Sequence, residues 1–154
     1  MAFAQKTVYA LRAVYELTRR YAAEPIPIST IADAQAIPPR FLENILLQLK
    51  AADLVESIRG KQGGYRLARH PKELTVGDVL RAMEGRLAPM SCLGGTSQKS
   101  CPMRNNCTFM PMWKKASDAM LSVYDGTSYA DLLKQEKAQE RGKPSSRSKP
   151  AARR

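Results

Sequence analysis

Apolar residues recur at helical spacing in the first third of the chain. A first helix over residues 7–21 is predicted by apolar positions at i, i+4, i+7 and i+11, namely Ala10, Val14, Leu17 and Tyr21. Pro25 and Pro27 then end helical structure, because proline lacks an amide hydrogen and restricts the residue before it. Ser29 is a suitable N-cap for a second, short helix that runs to Ala36.

The third predicted helix, over residues 40–52, has one apolar and one polar face. Its apolar positions lie within about 100° of arc and are Leu42, Ile45, Leu46 and Leu49. The opposite arc carries Arg40, Glu43, Asn44 and Gln48, with Leu47 among them. Two short helices joined by a tight turn, the second with such a polar face, are typical of a helix-turn-helix. In the major groove, arginine can bind guanine, asparagine can bind adenine and glutamate can accept from cytosine. An ordinary solvated helix face would show the same pattern.

A short β-hairpin is predicted directly after this helix. Residues 54–58 and 64–67 have the composition of two strands, and the glycine-rich segment between them carries Arg59, Gly60 and Lys61. A helix-turn-helix followed by a basic hairpin is a winged helix, whose hairpin tip can reach the DNA backbone or minor groove. The predicted fold is therefore mainly α with a small β-hairpin, and the winged helix-turn-helix domain occupies residues 1–85.

The next two segments are a cysteine-bearing loop and a pair of helices. A capping pattern at Thr75 and Asp78 begins a helix that ends at Gly85. The loop covers residues 86–108, and a long helix followed by a short one covers residues 109–133. The apolar stripe of the long helix is predicted to be Trp113, Ala116, Met120 and Val123 or Tyr124.

The chain is strongly basic, with 25 Lys and Arg residues against 14 Asp and Glu residues and a net charge of +11. Eight basic and two acidic residues lie in a basic tail over residues 134–154, which we expect to be disordered from about residue 140. This charge favours nucleic acid as the partner. No apolar stretch is long enough to span a membrane, and the single histidine, His70, argues against histidine-based catalysis. We therefore expect a cytoplasmic protein that is not an enzyme.

Three cysteines lie close together in the loop, as Cys92-x8-Cys101-x5-Cys107. Their odd number makes a poor disulfide framework, and thiolates suit zinc and iron–sulfur clusters. The spacing lacks the Cys-x2-Cys pairs of structural zinc sites. From spacing alone, a metal or cluster site, a thiol redox switch and chemically inert cysteines all remain open.

The chain from Thr7 to about Leu133 resembles the winged-helix bacterial transcriptional regulators of the IscR, NsrR and RirA type. The matching motifs are Tyr9-Ala10, Phe41-Leu42-Glu43, Asp53-Leu54-Val55, Arg59-Gly60, Gly63-Gly64-Tyr65, Leu74-Thr75-Val76-Gly77-Asp78-Val79, and Cys92, Cys101-Pro102 and Cys107 ahead of Trp113. They occur in the same order as in that family and cover over four-fifths of the chain.

The resemblance implies a homodimer that binds double-stranded DNA at a two-fold-symmetric operator, with the long helix as the dimer contact. It implies DNA contacts from Arg40, Glu43 and Asn44 and from the wing at Arg59, Gly60 and Lys61. It also implies an iron–sulfur cluster, with two or four irons, on Cys92, Cys101 and Cys107.

The fourth cluster ligand does not carry over from the family. Met110 stands where IscR-like members have a histidine, and Val8 marks the region where NsrR-like members supply a carboxylate. The eight residues between the first two cysteines are also more than IscR and NsrR have. A water molecule, a small thiol or another side chain would then complete the site.

The sequence thus predicts a DNA-binding transcriptional regulator whose operator affinity is controlled by a cluster that senses redox state, iron or nitric oxide. One alternative is a regulator that uses its cysteines as a cluster-free thiol switch. A metal- or thiol-dependent enzyme is more remote, because the sequence holds no recognisable nucleophile–histidine constellation. A cluster carrier without DNA function would leave the polar face of the third helix unexplained.

Overall fold

The computed structural model describes residues 3–22, 24–60, 62–94, 101, 103 and 106–142. In this part of the chain it contains seven helices and one antiparallel hairpin, so the predicted mainly α fold is confirmed. The elements are α1 (Gln5–Arg19), α2 (Ile28–Gln35), α3 (Pro39–Ala51), β1 (Val55–Ile58), β2 (Gly64–Leu67), α4 (Val76–Glu84), α5 (Ser91–Gly94), α6 (Met110–Gly126) and α7 (Tyr129–Gly142). Within the described ranges, no helix is long and apolar enough to cross a membrane.

The core forms around α1, which contacts α2, α3, α4 and α7. The apolar stripe of α3 is buried as predicted, since its four members Leu42, Ile45, Leu46 and Leu49 are at most 2% exposed. Tyr21 does not join the apolar face of α1, because that helix ends at Arg19 and leaves Tyr21 43% exposed, edge-on to His70. The start of α2 also differs from the prediction: Pro27, not Ser29, is its N-cap.

The capping pattern at the start of α4 forms as the sequence predicts. The Asp78 amide donates to Thr75 Oγ1 at 3.1 Å, and the Thr75 amide donates to Asp78 Oδ2 at 2.9 Å. Gly85 follows the last residue of the helix with a φ of 76°. This reciprocal pair satisfies amides that a helix start otherwise leaves without partners.

The last helix is longer than the short element predicted to end near residue 133. It continues to Gly142, so residues 134–142 of the basic tail are helical, and the expectation of disorder from about residue 140 is wrong for residues 140–142. Contacts with α1 stabilise this extension, because Arg19 Nε lies 3.4 Å from Glu136 Oε2. Burial and a hydrogen bond with Glu136 also raise the pKa of Tyr15, on α1, to about 12. The rest of the basic tail, residues 143–154, lies outside the described residues.

Two apolar stripes run along α6, which packs against α4. The first is buried or half-buried and consists of Met110, Trp113, Met120, Leu121 and Tyr124, with the small Ser117 buried among them. The second is exposed at i, i+3, i+7, i+10 and i+14 and consists of Phe109, Met112, Ala116, Ala119 and Val123. The predicted stripe drew members from both, because periodicity does not specify which of two apolar faces is docked.

A buried carboxylate connects α1 to the end of α2. Glu16 is 1% exposed; its Oε1 accepts from Arg20 Nε at 2.7 Å and its Oε2 from Gln35 Nε2 at 3.0 Å. Burial raises the pKa of Glu16, but the hydrogen bonds from Gln35 and Arg20, with the charges of Arg20 and Arg19, outweigh burial and hold it below its ordinary value. Since the pKa is lower in the folded protein, this ionised carboxylate stabilises the fold above the unfolded pKa, and that stabilisation is lost as the pH falls.

We predict that Glu16→Gln lowers the free energy of unfolding by about 1–2 kcal/mol at pH 7, because charge-assisted hydrogen bonds are stronger than neutral ones. Urea unfolding between pH 7 and pH 3 should show this difference narrowing below about pH 4.3, the ordinary pKa of a glutamate. Glu73→Gln, at an exposed position, is the matched control and should have little effect. A deficit in Glu16→Gln that is constant over the whole pH range would contradict the assignment.

Candidate nucleic-acid interface and cysteine segment

The turn between α2 and α3 determines how α3 is presented. Ala36 follows α2 in the left-handed conformation with a φ of 48°, and the Ile37 amide donates to the Ala32 carbonyl at 2.9 Å. The Arg12 guanidinium on α1 also donates to the Gln35 carbonyl. Pro39 then occupies the first turn of α3, where a missing amide hydrogen has no cost. The turn is thus held from α1 as well as by its own backbone.

The polar residues predicted for the third helix share its exposed face. Arg40, Glu43, Asn44 and Gln48 are all exposed, while the opposite stripe is buried. The Asn44 side-chain Nδ2 donates to the Arg40 backbone carbonyl at 3.3 Å, along the helix surface. Donors and acceptors on one exposed helix face can bind base edges in a major groove.

The hairpin that follows is joined to the body by a short third piece of strand. Val55 pairs with Leu67 at the base of the hairpin, and Ile58 pairs with Gly64 at its far end. Ile26, between α1 and α2, pairs with Tyr65. The Ile26 amide donates to the Tyr65 carbonyl at 2.9 Å, and the Tyr65 amide donates to the Ile26 carbonyl at 2.8 Å. A Cβ on Gly64 would lie 2.4 Å from the Ile26 carbonyl carbon and oxygen, so this close approach requires glycine.

The tip of the wing presents Arg59, Gly60 and Gln62 to solvent. Gly60 has a φ of 120°, a conformation that favours glycine, and its carbonyl accepts from the Gly63 amide at 2.9 Å. Lys61, also predicted to contact DNA, lies outside the described residues. An exposed arginine on a tight, glycine-shaped tip is suited to a phosphate or a minor groove.

The three cysteines lie between α4 and α6. Cys92 is in the short helix α5, Cys101 is in the following loop, and Cys107 accepts through its carbonyl from the Met110 amide at the start of α6. All three thiols are free and half-buried. Among the residues that the structure describes, no three His, Cys, Asp or Glu side chains are grouped so as to hold a metal ion.

The donor chemistry of the segment fits an iron–sulfur cluster, because three free thiols lie close together in the sequence, at positions 92, 101 and 107. The arrangement in this structure does not gather them into a ligand set. Met110 is half-buried at the first position of α6, and Val8 is 38% exposed on α1. Neither of these side chains is a carboxylate or imidazole ligand.

An ion pair that is not evident from the sequence joins α4 to the far end of α6. The two guanidinium nitrogens of Arg81 donate to Asp125 Oδ1 and Oδ2, both at 2.7 Å. These hydrogen bonds hold the pKa of the Asp125 carboxyl below its ordinary value. Gly77 makes room for the pair, since a Cβ there would lie 2.0 Å from Asp125 Oδ1. A long-range pair of this kind leaves no periodic signal in the sequence.

Comparison with known proteins decides the family. The pattern of the Rrf2 family, described as an iron-dependent transcriptional regulator, matches residues 3–135. The chain belongs to the Rrf2 family. It is 31% identical over 133 residues to the HTH-type transcriptional regulator IscR of Aliivibrio salmonicida, covering 86% of this chain and 77% of the relative.

Two solved structures of named regulators share the fold. IscR of T. potens superposes with a TM-score of 0.69 at 30% identity, over 94% of this chain and 93% of that one. CymR of B. subtilis, described as the global cysteine regulator, superposes with a TM-score of 0.71 at 29% identity, over 88% of this chain and 98% of that one. The resemblance inferred from the sequence motifs is therefore confirmed. The chain is an Rrf2-family DNA-binding transcriptional regulator and not an enzyme.

We predict that Gly64→Ala destabilises this regulator by about 1–3 kcal/mol, because the added methyl group forces the wing away from the Ile26 backbone. Gly126→Ala is the matched control, since a Cβ there meets nothing within 4 Å. Urea unfolding of both variants measures the difference. Equal stability of the two variants would show that the wing is not held by this contact.

Proposed function

We propose that this Rrf2-family protein is a homodimer that binds a two-fold-symmetric operator through α3 and the wing. The observation that carries this proposal is the exposed polar face of α3, whose other side is buried against the body. Arg40, Glu43, Asn44 and Gln48 contact base edges, while Arg59, Gly60 and Lys61 contact the flanking backbone or minor groove. The basic tail adds non-specific attraction to DNA.

The exposed stripe on α6 is the proposed dimer contact. Phe109, Met112 and Val123 are 63%, 50% and 64% exposed, although they are large and apolar. Ala116 and Ala119 lie between them on the same face, and such small side chains allow a second helix to approach closely. Two copies related by a two-fold axis would cover the same stripe on each other and place two copies of α3 for two half-sites.

The cysteine segment is the proposed sensor. Cys92, Cys101 and Cys107 would hold an iron–sulfur cluster, which supplies redox chemistry and reactivity toward iron loss and nitric oxide. Three free, half-buried thiols and a family described as iron-dependent support this assignment. The segment leads directly into α6, so a change in its conformation acts on the helix that carries the dimer contact.

A cluster-free thiol switch is the second candidate. It is favoured by the positions of the three cysteines, which are not grouped as metal ligands among the residues the structure describes. Similar structures include CymR of B. subtilis, described as the global cysteine regulator, and an oxidized form of Staphylococcus aureus CymR. In this alternative, oxidation of the thiols changes DNA affinity without iron.

Arginine substitutions test the DNA interface on an operator obtained by in vitro selection from random duplexes. We predict that Arg40→Ala weakens operator binding about 5- to 150-fold per half-site and relaxes sequence preference, because a base contact is lost in each half-site. Arg59→Ala should weaken binding to all sequences and reduce the salt slope by about 2, because one phosphate contact is lost in each of the two half-sites. Fluorescence anisotropy at several salt concentrations measures both effects.

Arg86→Ala is the control for the loss of a positive charge, since Arg86 is exposed after α4 and outside the proposed interface. It should retain the affinity and sequence preference of the wild type. If Arg40→Ala and Arg59→Ala also bind like the wild type, the assignment of α3 and the wing as the interface is wrong.

Iron analysis separates the two sensor candidates. We predict that the protein purified without oxygen contains iron and sulfide in near-equal amounts, and that Cys101→Ser loses both because a thiolate ligand is removed. Met103→Leu, in the same segment and 59% exposed, keeps all three thiols and should keep the iron. A wild type that stays iron-free after cluster reconstitution, with DNA affinity that responds to oxidant and thiol, would contradict the cluster and support the thiol switch.

A further inference from the structure

Leu47 is an exposed apolar side chain in the middle of the polar face of α3. It is 58% exposed, whereas Leu46 and Leu49 on either side of it in sequence and space are fully buried. Arg40, Asn44 and Leu47 stand at i, i+4 and i+7, so they form one line along the helix. At about 100° per residue, this line lies opposite the centre of the buried stripe. Leu47 is thus among the residues of α3 that project farthest from the body.

Only one base offers an apolar group to such a side chain in the major groove. Thymine carries a C5-methyl group there, whereas the edges of adenine, guanine and cytosine present hydrogen-bonding groups. Leu47 has no donor or acceptor and would oppose a polar base edge without a hydrogen bond. Its neighbours on the same line, Arg40 and Asn44, supply the polar contacts.

We infer that Leu47 determines specificity by packing against a thymine methyl group in each half-site of the operator. The inference rests on the proposed use of α3 as the DNA-binding helix and deepens it. Burying one methyl group against Leu47 increases the affinity for DNA about fourfold per half-site. The base pair concerned lies next to the one contacted by Asn44, because the two residues are separated by about 4.5 Å along the helix axis.

Replacing thymine by uracil in the selected operator removes the methyl group and keeps every hydrogen bond of the base pair. We predict that one particular thymine in each half-site is contacted by Leu47. Replacing it by uracil in one half-site should weaken wild-type binding about fourfold, and replacing it in both half-sites about 15-fold. Leu47→Ala should bind the thymine and uracil operators equally, because the partner of the methyl group is gone. Anisotropy titrations of both proteins on both duplexes form a double-mutant cycle.

Phe41→Ala is the matched control, since Phe41 is 60% exposed on the same helix but lies about 100° around from Arg40, off the outermost line. This variant should keep the wild-type preference for thymine over uracil. Loss of that preference in Phe41→Ala but not in Leu47→Ala would overturn the inference.

The outcomes also separate this inference from the proposed function. If the wild type selects no sequence from the random duplexes, the proposed function fails. If the wild type selects an operator, each thymine of that operator is replaced by uracil in turn. Should none of these replacements weaken binding, DNA recognition stands and the role of Leu47 is overturned. Circular dichroism of Leu47→Ala should match the wild type, because the side chain packs against little of the protein.

Discussion

The buried stripe of α3 is the constraint on which the rest of the molecule depends. Four side chains that are at most 2% exposed hold one side of α3 against a core centred on α1. A helix fixed in this way cannot rotate about its axis, so the buried residues determine which residues of α3 face the solvent. The same core receives Ile26, whose backbone pairs with the wing. One packed unit therefore holds both α3 and the wing.

A continuous path of packed elements connects the cysteine segment to α3. The segment leads into α6, α6 packs on α4 and is joined to it by Arg81 and Asp125, and α4 contacts both α1 and α3. The Arg81–Asp125 pair is exposed, so its contribution to stability is small, at most about 1 kcal/mol. Its importance lies in fixing where the end of α6 sits. In the proposed mechanism, a change in the cysteine segment would reach α3 through movement of α6 on α4.

The sequence predicts best where local periodicity and capping chemistry decide the structure. The stripe of α3, the capping box of Thr75 and Asp78 and the glycine-shaped wing all follow from residues close together in the chain. The length of α7 does not, because it depends on contacts between Glu136 and residues of α1 more than a hundred positions away. The sequence also does not predict which face of α6 packs against the body, because that helix has two apolar stripes.

In the proposed complex, two copies of α3, carried by a dimer, enter successive major grooves on one side of the DNA. Hydroxyl-radical footprinting on the selected operator, together with sedimentation of the complex, tests it most directly. A dimer bound in this way gives two chains per duplex and two protected regions whose centres are about 34–36 Å apart, or a multiple of that distance, on one face of the DNA. One chain per duplex, or a single protected region without a symmetry mate, would contradict it.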